Sequence, residues 1–538
     1  MSTRLTLDQR SAGVLLHVTS LPGGHGLGDL GPAAAAFIDF LAAAGQRWWQ
    51  VLPVGPAGPG HAPYNAVSAF AGNPLLISLE RLCEDGLLDA ADIVPTPELA
   101  DGPVDFARAA AFKAPRLRWA YRRFVADGGR HDPAFRAFCR RHDGWLADYA
   151  LYAALKRRYH GRPWTRWPAS VRDRRRTALA AARSHAPGVN GPHRASGGPH
   201  GPALVCGVRR GDLSDDIEFE RFVQFQFERQ WSALRRYAHD RGVGLIGDVP
   251  IFVAHDSADV WAHPDLFDLD ERGRPRTVSG VPPDYFSRTG QRWGHPQYRW
   301  RRHRATGFAW WVRRLARARE QFDAVRLDHF LGFHRVWAVP GRARTARRGR
   351  WVRTPGSELL ATIRRRLGRL EIIAEDLGAA EPAALALRDR LKFPGMRVLQ
   401  FGFDDADGHY HRPHAFPHRC VAYTGTHDND TAAGWYARLR RRSERGGDGL
   451  TAWRRVLLHT GTSGRRIHWD LVRLAWLSPA DVAITPVQDL LGLDSAARMN
   501  TPGTSHGNWA WRLRGGELDG RLARRLRALT GAAGRLVV

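Results

Sequence analysis

Several short stretches place ionisable residues where an apolar run stops. "AVRLDHF" (324–330) carries Arg326 and Asp328, "EIIAED" (371–376) ends in Glu375 and Asp376, "YTGTHD" (423–428) ends in His427 and Asp428, and "GLIGDV" (244–249) contains Asp248. In the first stretch Val325 and Leu327 alternate with Arg326 and Asp328, so the charged pair shares one face of an extended segment. An ion pair at the end of a buried strand is costly unless something uses it. Glycosidic bond chemistry is one such use. It takes two carboxyl groups, one ionised to attack or to stabilise positive charge, the other protonated for the leaving oxygen. Arg326 favours the ionised form of Asp328, which suits a nucleophile. Glu375 emerges from an apolar run, and partial desolvation raises a carboxyl toward the pKa that a general acid needs. Asp428 supplies a third acid. Each acid alone also reads as a structural strand-end ion pair, and spacing does not establish that the three converge.

The elements that must position these groups repeat along the chain. Eight short apolar runs have strand character: 13–18, 47–54, 242–253, 322–328, 370–376, 396–403, 420–428 and 481–489, the last ending at Gln488 and Asp489. Helical patterns lie between them, as at 31–45, 307–322 and 356–370. Alternation of strand and helix predicts a parallel sheet, and eight strands predict a (βα)8 TIM barrel, whose active site forms at the C-terminal strand ends. Residues 1–538 read as a single catalytic barrel unit. The gap at 55–241, between the second and third strands, is too long for one crossover and reads as an inserted, mainly helical subdomain region, with helical stretches at 112–127 and 142–161. Within it, 172–202 is rich in Arg, Gly and Pro and reads as a flexible surface insertion.

Composition narrows the classes of function. The 538 residues carry Lys+Arg 81 against Asp+Glu 53, a formal charge of +28. That charge permits contact with nucleic acid or a membrane surface. The basic residues are spread along the whole chain, however, without a nucleic-acid-binding motif, so no nucleic-acid partner is expected. No apolar run reaches membrane-spanning length, and the first residues lack the apolar core of a signal peptide. Cys83, Cys139, Cys206 and Cys420 are widely separated, which argues against a disulfide framework or a zinc site. A cytoplasmic location follows, with no membrane partner. No phosphate-binding glycine loop or G-x-S-x-G elbow is present, and no metal or cofactor is expected. The 20 tryptophans are many, and those in the Gly- and Pro-containing stretch "TGQRWGHPQYRW" (289–300) read as loop aromatics suited to covering the apolar faces of sugar rings.

The stretches "VRLDHF", "IIAEDLG" and "YTGTHDNDT" resemble those of the amylomaltases, bacterial 4-α-glucanotransferases related to the α-amylase superfamily. Further matches run in order: "GVLLHVTSLPG", "PYNAVSAFAGNPLLI", "GDVPIFVAHDSADVWA", "GVPPDYFSRTGQRWGHPQYRW", "PGMRVLQF" and "PVQDLLGLDSAARMNTPGTSHGNWAWR". They cover the chain except about 170–215 and the variable helical parts. The resemblance implies retaining transfer of α-1,4-glucan segments to the 4-hydroxyl of an acceptor, with maltooligosaccharides among the substrates. It implies Asp328 as nucleophile, Glu375 as general acid and base, and Asp428 as a binder of donor-ring hydroxyls that stabilises the transition state. It also implies Arg326, His427 and Asp248 as supporting groups around the donor sugar, and Tyr64, Gln291, Trp293 and Asn500 as further substrate contacts. The loop at 282–293 matches one expected to shield the covalent intermediate from water. Three positions depart from the family pattern: Ala62 for a usual Ser, Leu331 for a usual Arg, and His295 for a usual Asn. A hydrolase on the same scaffold would differ by releasing reducing ends. A glucan-binding protein without activity would not need all three acids.

Overall fold

The structure, a computed structural model, describes residues 5–184, 213–283, 287–378, 381–404, 406–504 and 506–537. Twelve strands are formed among them: β1 (Ser11–Leu15), β2 (Trp48–Gln50), β3 (Gly244–Val249), β4 (Thr277–Val281), β5 (Gln291–Pro296), β6 (Ala324–Leu327), β7 (Arg335–Pro340), β8 (Arg350–Arg353), β9 (Glu371–Ala374), β10 (Gly395–Val398), β11 (Cys420–Tyr423) and β12 (Val482–Pro486). Eight of them close a parallel barrel in the order β1-β12-β11-β10-β9-β6-β3-β2. These are the eight runs the sequence predicts, six of them trimmed, while β1 and β10 start before the predicted runs. The run at 396–403 leaves the strand after Val398 and becomes the helix Leu399–Asp404. The run at 481–489 turns into the helix Val487–Leu491, so Gln488 and Asp489 sit on a helical turn rather than at the strand end. A short apolar run cannot by itself distinguish a buried strand from a buried helical turn.

Side-chain alternation builds two apolar layers. Trp48, Ile246, Ile373, Met396, Val398, Val421, Tyr423, Val482 and Ile484 fill the barrel interior. Their neighbours Trp49, Leu245, Ile372, Cys420, Ala422 and Ala483 face the surrounding helices. Trp48 is fully buried, and its Nε1 donates to Ser11 Oγ at 3.1 Å. Gly13 makes room for it, since a Cβ there would lie 2.5 Å from Trp48 Cβ.

Long helices occupy the interval between β2 and β3. Phe106–Ala126 is capped by Asp105, Pro133–Arg158 starts with Asp132 and a proline in the first turn, and Leu213–Asp240 leads into β3. Phe124, Phe135 and Phe138 pack on Phe222 and Phe225 with ring centroids 4.9–6.5 Å apart. Burying each ring contributes about 2 kcal/mol, which holds the insertion against itself. The part of 172–202 that is described includes a helix, Arg176–Ser184, because "RTALAAARS" is a run of good helix formers ahead of Pro187. Residues 185–202 of that predicted insertion lie outside the described residues.

A second sheet stands over the barrel mouth. It is antiparallel, in the order β5-β4-β7-β8, and takes its strands from both sides of β6. The expected loop at 289–300 is therefore in part strand β5.

The opposite end of the barrel is closed by two arginines. Arg535 is fully buried, and its guanidinium donates to the carbonyls of Trp476 (2.6 Å), Ser11 (2.9 Å), Asp481 (3.0 Å) and Ala480 (2.8 Å). Arg10 donates to Trp476, Ser478 and Ala533. Ser11 begins β1 and Asp481 precedes β12, so Arg535 bridges the two strands whose pairing closes the ring.

Candidate active site

The barrel register brings the acids together. Asp248 of β3 pairs with Arg326 of β6, and Leu327 of β6 pairs with Ala374 of β9. Asp328 and Glu375 are the next residues on two neighbouring strands. Backbone bonds continue the register past the strands: Glu375 N donates to Leu327 O at 3.1 Å, and Phe330 N donates to Glu375 O at 2.9 Å. Asp428 follows β11 and comes in from the other side of β10.

Arg326 organises the group. Its Nη1 lies 2.7 Å from Asp248 Oδ2 and 2.9 Å from Asp328 Oδ1. Asp248 Oδ2 also accepts from the Tyr64 hydroxyl at 2.7 Å. Burial opposes the charge on Arg326, but Asp248 and Asp328 outweigh it and hold its proton well beyond the usual arginine range. Burial raises Asp248, with Arg326 pulling the other way and Asp328 adding to the rise. The Tyr64 hydroxyl is kept protonated by burial and by Asp248, with Asp328 and Asp428 adding to the effect and Arg326 opposing it.

Glu375 is buried, and burial pushes it up to about 8, against the pull of Arg326 and with the help of Asp328. Its Oε2 accepts from His329 N at 2.7 Å and its Oε1 from Leu377 N at 2.9 Å. Those two bonds favour the ionised carboxylate, and desolvation outweighs them. Asp428 Oδ1 accepts from Asn500 Nδ2 at 2.6 Å and lies 3.4 Å from His427 Nε2. Burial pushes His427 below its ordinary pKa, so it stands here as a neutral ring.

Aromatic rings wall the cluster. Tyr64 stacks on His427 with centroids 5.1 Å apart and planes at 16°, and Trp509 leans on both at 6.0 Å. On the side of β5, Trp293 meets His329 edge-on at 4.8 Å and 86°, and its Nε1 lies 3.3 Å from Gln291 Oε1. His329 and Trp509 both adopt positive φ, 51° and 64°, which costs about 1–2 kcal/mol for a residue with a side chain.

The structure thus gathers Asp328, Glu375, Asp428, Arg326, His427, Tyr64 and Asn500 around one mouth, with Gln291 and Trp293 against the His329 side. Asp248 is the most deeply placed of the expected supporting groups. Its side chain is 0% exposed, against 28% for Asp328 and 45% for Asp428, so it braces Arg326 and Tyr64 from behind. Sequence reasoning passed over Trp509 and the positioning bond from His329 N, because backbone strain and a ring seated by a distant loop leave no periodic signal. Tyr285 and Phe286 of the expected shielding loop lie outside the described residues.

With this geometry in hand, comparison with known proteins is decisive. The family model described as Glyco_hydro_77, 4-alpha-glucanotransferase, matches residues 16–190 and 206–518. The chain belongs to this glycoside hydrolase family. A 4-alpha-glucanotransferase of Thermus thermophilus is 46% identical over 533 residues, covering 98% of this chain and 99% of the relative. One from Synechocystis is 42% identical over 536 residues, covering 99% of each. Among solved structures, the amylomaltase from Streptococcus agalactiae in complex with acarbose superposes with a TM-score of 0.86 at 33% identity, covering 98% of this chain and 100% of that one. The unmatched interval, 191–205, overlaps the end of the insertion predicted at 172–202.

The chain is therefore an enzyme of a glucanotransferase family, built on the barrel its sequence predicts. Among the described residues, one trio of potential metal ligands gathers away from the acids: His25, Asp29 and Glu80. It already holds a cation of its own. Lys113 Nζ is fully buried, 2.6 Å from Asp29 Oδ2, and also donates to the carbonyls of Leu75 and Ile77. No helix among the described residues is long and apolar enough to cross a membrane.

Proposed function

We propose that the enzyme is a retaining 4-α-glucanotransferase that moves α-1,4-glucan segments between maltooligosaccharides through a covalent glucosyl-enzyme on Asp328. The observation that carries this reading is the division between two neighbouring carboxyls. Asp328 is accessible and sits against a permanently charged Arg326, while Glu375 is buried and raised to about 8. A buried carboxyl raised toward neutrality beside a second, more accessible carboxyl on a guanidinium is the pair that acid-assisted displacement with retention uses.

In the first step Asp328 attacks the anomeric carbon from one side. Glu375 gives its proton to the glycosidic oxygen, and the glucan beyond the cleaved bond departs. In the second step Glu375, now ionised, takes the proton from the 4-hydroxyl of an incoming sugar. That oxygen displaces Asp328, and the bond is re-formed with the original configuration. Asp428 binds ring hydroxyls of the distorted donor, and Asn500 and His427 fix its orientation through Oδ1. Tyr64 and Arg326, braced by Asp248, hold the nucleophile side rigid. Trp293 on β5 offers an indole beside His329 on which an acceptor ring can rest, which favours a sugar over water.

The test is incubation with maltotriose while oligosaccharide products and total reducing ends are followed together. Longer and shorter maltooligosaccharides at constant reducing ends are expected. Rising reducing ends without longer products would make the enzyme a hydrolase and overturn the transfer reading.

A further inference from the structure

Asp328 and Glu375 each follow directly on a barrel strand, β6 and β9, and inherit their places from the sheet. Asp428 does not. It stands in the turn beyond the end of β11, and its side chain is 45% exposed. Its N–H donates to Thr426 Oγ1 at a long 3.3 Å. Thr426 N and Oγ1 both donate to Asn429 Oδ1 at 2.9 Å, which shapes the turn from within. A carboxylate that must meet ring hydroxyls in the transition state needs a brace from outside such a turn, because a loop residue held in one geometry loses backbone entropy.

The brace comes from the connection after β12. In "ARMN" (497–500) Ala497 and Met499 are buried while Arg498 and Asn500 are half-buried, the alternation of an extended segment with one side on the core. Met499 packs into the interior layer of the barrel, and its carbonyl accepts from Trp509 N at 2.7 Å, so the segment is anchored on its buried side. Its other side meets the 426–430 turn. Just before it, Ser495 Oγ donates to Asp430 Oδ2 at 2.8 Å, and at its end Asn500 Nδ2 donates to Asp428 Oδ1 at 2.6 Å. Arg498 stands between these bonds. Its Nη2 donates to the backbone carbonyl of Asp428 at 2.6 Å, and its Nε to the backbone carbonyl of Asn500 at 2.7 Å. The two donors share one edge of a planar, rigid guanidinium, so the fork sets the separation of the two carbonyls. The Asn500–Asp428 side-chain bond completes the ring of contacts: the guanidinium fixes both backbones, and the amide then fixes the carboxylate.

We propose that Arg498 is a positioning residue for the transition state. Its edge donors are occupied by carbonyls rather than by substrate, and it acts through Asp428, holding that residue and Asn500 at the separation from which the carboxylate meets the donor ring. The inference rests on the proposed role of Asp428.

The test uses the full chain and total maltotriose consumption, which counts transfer and hydrolysis alike. Arg498→Ala should lower kcat about thirtyfold to a hundredfold, the effect of a displacement of about 1 Å at a reacting centre, and change KM less than about threefold, because the weakened contact belongs to the transition state. Arg498→Lys keeps the charge without the planar fork and should still lose about tenfold; it carries the same comparisons where the alanine variant does not fold. In Asp428→Asn, whose backbone carbonyl is intact, Arg498→Ala should cost less than about a further threefold, since Arg498 acts through that carboxylate. Amide hydrogen exchange in the Arg498 variants should quicken about tenfold across 424–431 and stay unchanged across 324–328 and 371–376, the strands that place the other two acids. Full activity of Arg498→Lys would overturn the proposal. So would an undiminished loss in the Asp428→Asn background, or exchange that quickens equally in all three segments. A wild type that consumes no maltotriose would instead overturn the catalytic reading, and exchange across 424–431 would still decide whether Arg498 sets this turn.

Discussion

Glu375→Gln separates the electrostatic account of the site from a merely structural one. The carboxyl stands near 8 in the folded protein against 4.5 for the free side chain, with burial as the leading cause. A carboxyl raised on folding destabilises the fold wherever the unfolded chain would be ionised. The cost is absent below the unfolded value, grows by about 1.4 kcal/mol per pH unit, and levels off above the folded value. It amounts to about 1 kcal/mol at pH 5 and about 4 kcal/mol at pH 8. The amide variant has no such term. It does lose one acceptor, since Glu375 takes hydrogen bonds from both His329 N and Leu377 N, and an amide nitrogen must face one of them. That loss costs about 1–3 kcal/mol and does not depend on pH. The decisive quantity is therefore the change in the stability difference with pH, in which the constant loss cancels. Urea unfolding of both proteins from about pH 5 to about pH 8 should show the variant gaining about 3–4 kcal/mol on the wild type. Parallel stability profiles would refute the idea that burial raises this carboxyl. The wild-type transfer rate should fall as pH rises through about 8, because the acid must be protonated to donate, and the variant should lack that limb altogether.

Other outcomes follow from the same geometry. Asp328→Asn should fold normally and lose maltotriose transfer by about a thousandfold or more, read from the product ladder. Asp248→Ala strands a buried Arg326 and the Tyr64 hydroxyl, and should cost about 3–5 kcal/mol by urea unfolding, a larger loss than Asp328→Ala at a more exposed position. Trp293→Ala should raise hydrolysis relative to transfer by up to about tenfold, read as the ratio of new reducing ends to longer products, since the indole beside His329 no longer seats a competing sugar. His329→Gly should relieve about 1 kcal/mol of left-handed strain and still lower activity, because it removes the ring against Trp293.

The barrel was legible because its information is periodic and local. Each of the eight strands is an apolar run bounded by breakers, and the acids stand where the runs stop. The antiparallel sheet was not legible. "QRWGHP" and "RWVR" carry Arg, Gly and Pro at strand positions, and they pair only because the chain on either side of β6 is anchored to the barrel. The depth of Asp248 was not legible for a related reason. Sequence places it on the correct strand, but only the packed structure shows that it is fully buried and bonded to Arg326 and Tyr64. Spacing also gave no ground for convergence. That came from the register, which makes Asp328 and Glu375 neighbours across β6 and β9, and from the fold-back of the β11 connection that brings in Asp428.

The arginine clamp under the barrel bears on the order of assembly. Arg535 and its carbonyl partner at Ser11 are 524 residues apart, and the β1–β12 seam that they span is the step that turns a curled sheet into a ring. A nascent chain therefore carries β1 as an open edge through nearly all of its synthesis, with a row of unsatisfied backbone groups available to other strands. The ring can shut only when β12 and then Arg535 have been made. Intermediates from an interrupted chain should be long, nearly complete in helix, and adhesive at one edge, which makes this seam the place where a chaperone would be most needed.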